Sequence, residues 1–272
     1  RVKYVRMDWG DKVNKKFFFF DIDGTLAVGT PGQQYIPEST KIALQKLRDQ
    51  GHFLAIATGR SYAMAKDTME KLGFHNMVSD GGNGITIDDQ LLGIEPLDYD
   101  KCIRLINECK AKNYIWAFSP DNSQQRLAPD EHFYDFTHDI YMKTVVKEGL
   151  DPLDYKQIYK VYIACLAPEE EKLETLKELP WCRFHKEYLF VEPGDKSIGI
   201  KKIVDHLGGD YKDVVVFGDE KNDLSMFNDE WTSVAMGNAI DELKQKASYV
   251  TSDVSKDGIY NACLHFGWIE ED

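Results

Sequence analysis

A chain of 272 residues, 43% hydrophobic and 29% charged, has the composition of an ordinary globular protein, long enough for one large domain or two smaller ones. Its formal net charge of −13 argues against a nucleic-acid backbone or an anionic membrane as the main partner, because both are held by clustered Lys and Arg. A small anionic ligand stays compatible, but it needs a local positive site inside a repelling field.

The head, RVKYVRMDWGDKVNKK, contains no apolar run of the signal-peptide kind. No later stretch approaches the roughly 20 apolar residues that span a bilayer. KKFFFFDI predicts an all-apolar strand ending at Asp21. PESTKIALQKLRDQG predicts a helix, with Pro37 and Glu38 near its start and Gly51 just past its end. HFLAIATGR is a second buried strand, SYAMAKDTMEKLGF a helix, and NMVSDGG comes next. Strands that are apolar on both faces and alternate with helices indicate a parallel sheet covered on both sides.

From about Asn83 to Glu192 the pattern changes. GITIDDQLLGIEPL predicts a hairpin turning at Asp88-Asp89, and YDKCIRLINECKAKN an amphipathic helix. YIWAFSP, YKVYIACLA and CRFHKEYLFVEP are aromatic and β-branched strand candidates. Residues 83–192 therefore predict an inserted α+β domain, interrupting a core made of 1–82 and 193–272. The last third resumes the first pattern: helix SIGIKKIVDHLG, buried strand DVVVFGD, strand SVAMGNA, helix IDELKQKA and a short strand in SYVTSD. The expected fold is α/β, one doubly wound, mostly parallel Rossmann-like sheet with an α+β insertion.

The five cysteines, Cys102, Cys109, Cys165, Cys182 and Cys263, are odd in number and form no C-x-x-C. They read as reduced thiols of a cytoplasmic protein rather than a disulfide framework or zinc site. Cys102 and Cys109, seven apart on a predicted helix, share one buried face.

Chemistry concentrates at four points. Asp21-x-Asp23-Gly24-Thr25 ends the first strand, and residues two apart in extended chain face the same way. Both carboxylates can thus enter the crevice at the carboxyl end of a parallel sheet, where open α/β sheets bind ligands. A calcium loop is disfavoured, since the Gly falls fourth rather than sixth and a strand precedes it. Thr58-Gly59-Arg60 ends the second strand and opens a helix, an arrangement suited to an anion but common for turn reasons alone. Gly218 to Asp223, GDEKND, puts Asp219 at the end of another core strand, with Asn222 and Asp223 one turn on. Carboxylates gathered in one crevice repel unless a hard cation sits among them. Lys196, behind the N-cap candidate Asp195, stands where the helix dipole disfavours a cation; it is either a solvated surface residue or a charge held for nearby anions.

The order D-x-D-G-T, Thr-Gly, isolated Lys, G-D-x-x-N-D, each after its strand, resembles the haloacid dehalogenase superfamily of phosphotransferases from about Phe17 to the terminal HFGW. SVAMGNA and SYVTSDVSKDGI resemble the tail of its Cof-like sugar-phosphate phosphatases. The resemblance implies a hydrolase of phosphoric monoesters in which Asp21 is the nucleophile and Asp23 the general acid and base. Thr58, the Gly59 N–H, Lys196 and Asn222 then serve the phosphoryl group. Asp21, Asp23 through its backbone carbonyl, Asp219 and Asp223 serve a magnesium site. It also implies a small phosphorylated metabolite as substrate, a monomer or homodimer, and an insertion that acts as a cap selecting the leaving group. Two departures stand out. Ser197 follows Lys196 where relatives often have Gly, which leaves Lys201 or Lys202 as alternative cations, and Glu220 stands where Gly is frequent. A phosphomutase similar to phosphomannomutases and a non-catalytic sugar-phosphate sensor are the alternatives of the same fold.

Overall fold

The structure is a computed structural model that describes residues 15–29 and 33–271; all but the last two residues of the head segment lie outside the described residues. In chain order the elements are β1 (Phe17–Phe20), α1 (Glu38–Asp49), β2 (Phe53–Ala57), α2 (Tyr62–Lys71), β3 (Met77–Ser79), β4 (Gly84–Ile87) and β5 (Gln90–Ile94). Next come α3 (Tyr99–Ala111), β6 (Ile115–Ser119), β7 (Gln125–Ala128), α4 (His132–Thr137), β8 (Lys143–Val146), β9 (Lys160–Ala164), β10 (Trp181–His185) and β11 (Tyr188–Val191). The last are α5 (Lys196–Leu207), β12 (Val214–Gly218), β13 (Thr232–Ala235), α6 (Asp241–Lys246), β14 (Tyr249–Val250) and α7 (Gly258–His265). Two compact units result. One holds the described residues up to Arg60, those from Ala65 to Gly93 and those from Asp195 on; the other holds Ser61–Met64 and Ile94–Gly194. No helix among the described residues is long and apolar enough to cross a membrane.

The first unit is an eight-stranded sheet in the order β14-β13-β12-β1-β2-β3-β4-β5. Every pairing from β14 to β3 is parallel, and β4 runs antiparallel to β3. Counted along the chain, the parallel strands stand in the order 3-2-1-4-5-6, the doubly wound arrangement expected from the alternating pattern. The four phenylalanines of β1 divide between the two faces, as strand periodicity requires. Phe17 and Phe19 join a buried cluster with Ile200, Ile203 and Val204 of α5. Phe18 meets Trp268 at 5.0 Å, and Phe20 meets Phe74 at 6.1 Å and Phe217 at 4.9 Å. Helices cover both faces, so β1 is a dry central strand, and the loop leaving Phe20 starts from a rigid base.

The second unit is a six-stranded sheet in the order β10-β11-β9-β6-β7-β8, antiparallel except for β7 with β8. Cys102, Leu105, Ile106 and Cys109 of α3 are buried together with Trp116 and Phe118. Phe133, Tyr162, Tyr188 and Phe190 belong to a separate cluster.

The structure departs from the sequence reading in three places. The hairpin turning at Asp88-Asp89 pairs onto β3, Met77 opposite Thr86, and so extends the first sheet instead of opening the insertion. Both turn residues have positive φ, 48° and 64°, the conformation a two-residue hairpin turn demands. CRFHKEYLFVEP is two strands, β10 and β11, paired antiparallel. Its turn, Lys186-Glu187, carries none of the residues that mark turns, which hid the break. Finally, β7, α4, β8 and α7 have no counterpart in the sequence reading. β7 buries Arg126 completely, which spoils an apolar strand pattern, and α7 begins behind Asp257 at φ 59° with no side-chain cap.

Candidate active site

Three strand ends converge where the strand order reverses. Phe20 is in register with Phe217 of β12 and with Ile56 of β2, so Asp21 emerges between the ends of both neighbours. The Asp21 N–H donates to the Phe217 carbonyl at 3.0 Å, extending the ladder one residue past the strand. Asp219 follows β12 and Thr58 follows β2 in the same manner. This is the topological switch point, the place in such sheets where no crossover covers the carboxyl ends.

Gly24 explains how closely the loops pack. Its φ is +81°, and a Cβ there would lie 2.1 Å from Asp219 Oδ2. The turn after Asp23 therefore rests directly on the Asp219 carboxylate, and Thr25 Oγ1 donates to Asp219 Oδ1 at 2.8 Å. Asp21, Asp219 and Asp223 are all buried, and each offers a carboxylate oxygen within 4.8 Å of the others. Asp223 Oδ2 accepts from the backbone N–H groups of Asp219 (2.9 Å) and Glu220 (3.1 Å), which folds the GDEKND turn back on itself.

Lys196 is the first residue of α5, capped by the Asp195 side chain, which accepts from the Ser197 N–H at 3.0 Å. The Lys196 N–H donates to Ser225 Oγ at 3.1 Å, tying the helix start to the turn after β12. Its ammonium donates to Asp21 Oδ1 at 2.7 Å and to Asp223 Oδ1 at 2.6 Å, with the side chain 1% exposed. Lys201 instead pairs with Glu230 at the protein surface. The departure at Ser197 is harmless, because its hydroxyl bonds Asp195 at 2.5 Å. The glycine that matters is Gly199, one turn on: a Cβ there would lie 2.4 Å from Val78 Cγ1 and 2.9 Å from the Gly82 carbonyl oxygen.

Asp23 lies in the same loop but in a different environment. Its side chain is 44% exposed, and Arg60 grips both oxygens, Nε to Oδ2 at 3.1 Å and Nη2 to Oδ1 at 2.6 Å. Gln34 also donates to Asp23 Oδ1. Thr58 is buried, and its hydroxyl oxygen accepts from the Arg60 N–H at 3.1 Å, which leaves the hydroxyl proton for another acceptor. Gly59 completes this turn. Asn222 and Glu220 are exposed, and Asn222 makes no side-chain hydrogen bond among the described residues, so the structure does not bring it into the cluster.

Burial raises Asp21 from the ordinary carboxylate range to about 7; the neighbouring Asp223 adds to this and Lys196 opposes it. Burial, then Asp21 and Asp223, push Asp219 up to about 8, against the Thr25 hydrogen bond. Burial also disfavours the Lys196 cation, but Asp21 and Asp223 outweigh it and hold the ammonium above its usual pKa. The cluster is thus short of positive charge. Of the three buried carboxylates the Lys196 ammonium pairs with two, Asp21 and Asp223, and oxygen donors at this spacing suit a hard divalent cation.

The sequence profile of the haloacid dehalogenase-like hydrolases matches residues 18–263. The chain belongs to the haloacid dehalogenase-like hydrolases. The Bacillus subtilis (strain 168) protein named "Putative phosphatase YkrA" is 34% identical to it over 263 residues, 95% of this chain and 100% of that protein. The phosphatase YitU of the same organism, named for 5-amino-6-(5-phospho-D-ribitylamino)uracil, is 28% identical over 261 residues, 88% of this chain and 93% of that protein. Among solved structures, the subclass IIB sugar phosphatase BT4131 superposes with a TM-score of 0.73 at 27% identity, covering 94% of this chain and 100% of that one. The protein is accordingly a phosphoester hydrolase of the haloacid dehalogenase class, a Cof-type phosphatase.

Sequence reasoning left three contacts of this hydrolase unassigned: Thr25 on Asp219, Arg60 on Asp23, and Asn238, whose amide donates to the Gly24 carbonyl at 2.9 Å. Thr25 and Asn238 stand in motifs already visible, DGT and SVAMGNA, but nothing in a sequence says which loop such a side chain will meet. Arg60 was visible as a cation without an evident partner.

Proposed function

We propose that the protein is a magnesium-dependent phosphatase of small phosphomonoesters, chiefly sugar phosphates, working through an aspartyl-phosphate. The observation that carries this is Lys196 bridging Asp21 and Asp223 beside Asp219 at the sheet's switch point. Asp21 attacks phosphorus as the ester oxygen leaves, and Asp23 protonates that oxygen. Asp23 then takes a proton from water, which attacks the aspartyl-phosphate, releasing phosphate and the Asp21 carboxylate. Lys196 balances the charge of the nucleophile and of the arriving phosphoryl group; the Thr58 hydroxyl and Gly59 N–H hold its oxygens. Asn222, exposed here, orients the phosphoryl group from the rim. Arg60 now covers both oxygens of Asp23, so Asp23 must exchange this partner to reach the leaving group. Asp21, Asp219, Asp223 and the Asp23 backbone carbonyl would hold magnesium, which supplies charge neutralisation at the phosphoryl oxygens when bound. The sugar class is supported by the relatives, one named a sugar phosphatase and another for a phosphoribityl compound. The inserted unit is proposed as the element that selects the leaving group.

The test is phosphate release from a panel of sugar, nucleotide and cofactor monophosphates, before EDTA, after EDTA and after added Mg²⁺. Release that EDTA abolishes and Mg²⁺ restores is expected. An isomerised sugar phosphate in place of inorganic phosphate would mean a mutase, and EDTA-resistant turnover would remove the metal from the mechanism.

The carboxyl shifts carry a second expectation. The folded metal-free protein holds protons on Asp21 and Asp219 up to about 7 and about 8, whereas in the unfolded chain both ionise near 3.8. The folded state therefore binds more protons between these limits, and this site's contribution to stability falls as pH rises through them. A divalent cation displaces those protons and reverses the trend. Mg²⁺ should raise Tm more at pH 8.5 than at pH 5.5; an increment independent of pH would count against a cation among these carboxylates.

A further inference from the structure

We infer that Asn238 is a positioning residue for the Asp219 carboxylate and, through it, for the cation site; this rests on the proposed metal dependence. The SVAMGNA segment leaves β13 and turns at Gly237 and Asn238, directly beside the end of β12. The Asn238 amide is fixed in orientation by its partners: Oδ1 accepts from the Val254 N–H at 2.9 Å, so Nδ2 faces the other way. There it donates to the Gly24 carbonyl at 2.9 Å and, more weakly, to Asp219 Oδ2 at 3.4 Å. One side chain thus joins three segments: the turn after Asp23, the turn after β12, and the loop from Ser252 to Asp257.

Both oxygens of Asp219 therefore have a donor, one close and one longer. Oδ1 takes a proton donor from Thr25 at 2.8 Å and Oδ2 takes one from Asn238. Neutral donors at both oxygens restrict rotation of the carboxylate about its terminal bond and so bias the directions of its remaining lone pairs. Gly24 leaves no slack on the other side, since a Cβ there would strike Asp219 Oδ2. Asp219 also anchors the segment through its backbone, its carbonyl accepting from the Ile240 N–H at 2.9 Å, two residues past Asn238. Such outer hydrogen-bond partners set how well a ligand is aimed, and losing one costs about 10–100-fold in metal affinity.

The experiment is isothermal titration of the full chain with Mg²⁺ alone, alongside the Mg²⁺ activation constant for p-nitrophenyl phosphate hydrolysis. Asn238 is exposed, so Asn238→Ala and the bulk-preserving Asn238→Leu are expected to fold. Both should bind Mg²⁺ roughly 10–100-fold more weakly, while kcat at saturating Mg²⁺ stays within a few-fold of the parent. The control is Asn261→Ala. Asn261 ties the same loop, donating to Ser252 Oγ at 3.0 Å and the Lys256 carbonyl at 3.2 Å, but hydrogen-bonds neither Asp219 nor Gly24. It should leave Mg²⁺ affinity within about two-fold. Equal affinity in Asn238→Ala and the parent, or an equal loss in Asn261→Ala, overturns the assignment of Asn238. A parent that binds no Mg²⁺ overturns instead the metal dependence on which it rests.

Discussion

Asp21→Asn is expected to leave a folded protein that releases phosphate at least about 10³-fold more slowly, because the amide that replaces the carboxylate is not a nucleophile. The substitution preserves shape. Its carbonyl oxygen can still accept from the Lys196 ammonium, now 2.7 Å from Asp21 Oδ1. It also removes one negative charge from a cluster in which Asp21, Asp219 and Asp223 lie buried together, so the metal-free variant should be at least as heat-stable as the parent at pH 8. Loss of activity with gain or retention of Tm separates a chemical role from a structural one. Acid-quenching the parent during turnover of a labelled phosphomonoester should trap an acyl-phosphate cleavable by hydroxylamine, and the variant should trap none. Wild-type turnover by a folded Asp21→Asn protein would falsify the nucleophile assignment.

The parts of this architecture that were readable in the sequence are those whose physics is local. FFFF and VVVF are buried on both faces, and that alone marks central strands of a two-sided sheet. A carboxylate directly after such a strand stands at a sheet end by construction, which marks Asp21 and Asp219, and Asp23 two residues on faces the same way as Asp21 in extended chain. The insertion was harder for equally physical reasons. Arg126 is buried beneath Phe133, with its guanidinium carbon 4.4 Å from the ring centroid, and pairs with Asp139 at 2.5 Å. A strand that buries an arginine does not look like a strand, and the Lys186-Glu187 turn does not look like a turn. The strand pattern changes near residue 82, yet the sheet continues through β4 and β5 because an antiparallel hairpin can extend the edge of a parallel sheet without a crossover helix. Lys196 falls between these cases. By itself it is a cation at the wrong end of a helix dipole, and its partners are 175 and 27 residues away. Only the order of the motifs selected it over Lys201.

That ambiguity gives Lys196 the sharper test of the charge arrangement. Lys196→Met is expected to destabilise the metal-free protein by about 3–5 kcal/mol at pH 8, the usual consequence of removing one partner from a buried ion pair. The thioether fills the space of the lysine stem but leaves Asp21 and Asp223 facing each other without a cation. The penalty should shrink as pH falls, and the sign is set by Asp21. Its pKa already stands at about 7 through burial and Asp223, with Lys196 among the few influences lowering it. Without Lys196 the carboxyl rises further, so the folded variant takes up a proton that the unfolded chain does not, and regains stability on going from pH 8 to pH 5.5. Adding Asp223→Asn should recover part of the loss at pH 8, so that the double variant is more stable than the two single effects summed. Urea unfolding of the single and double variants at both pH values reads all of this. A pH-independent loss would mean that Lys196 acts through packing alone. A full set of wild-type stabilities would mean that the acidic cluster is tolerated without it, and the phosphoryl site would then need another source of positive charge.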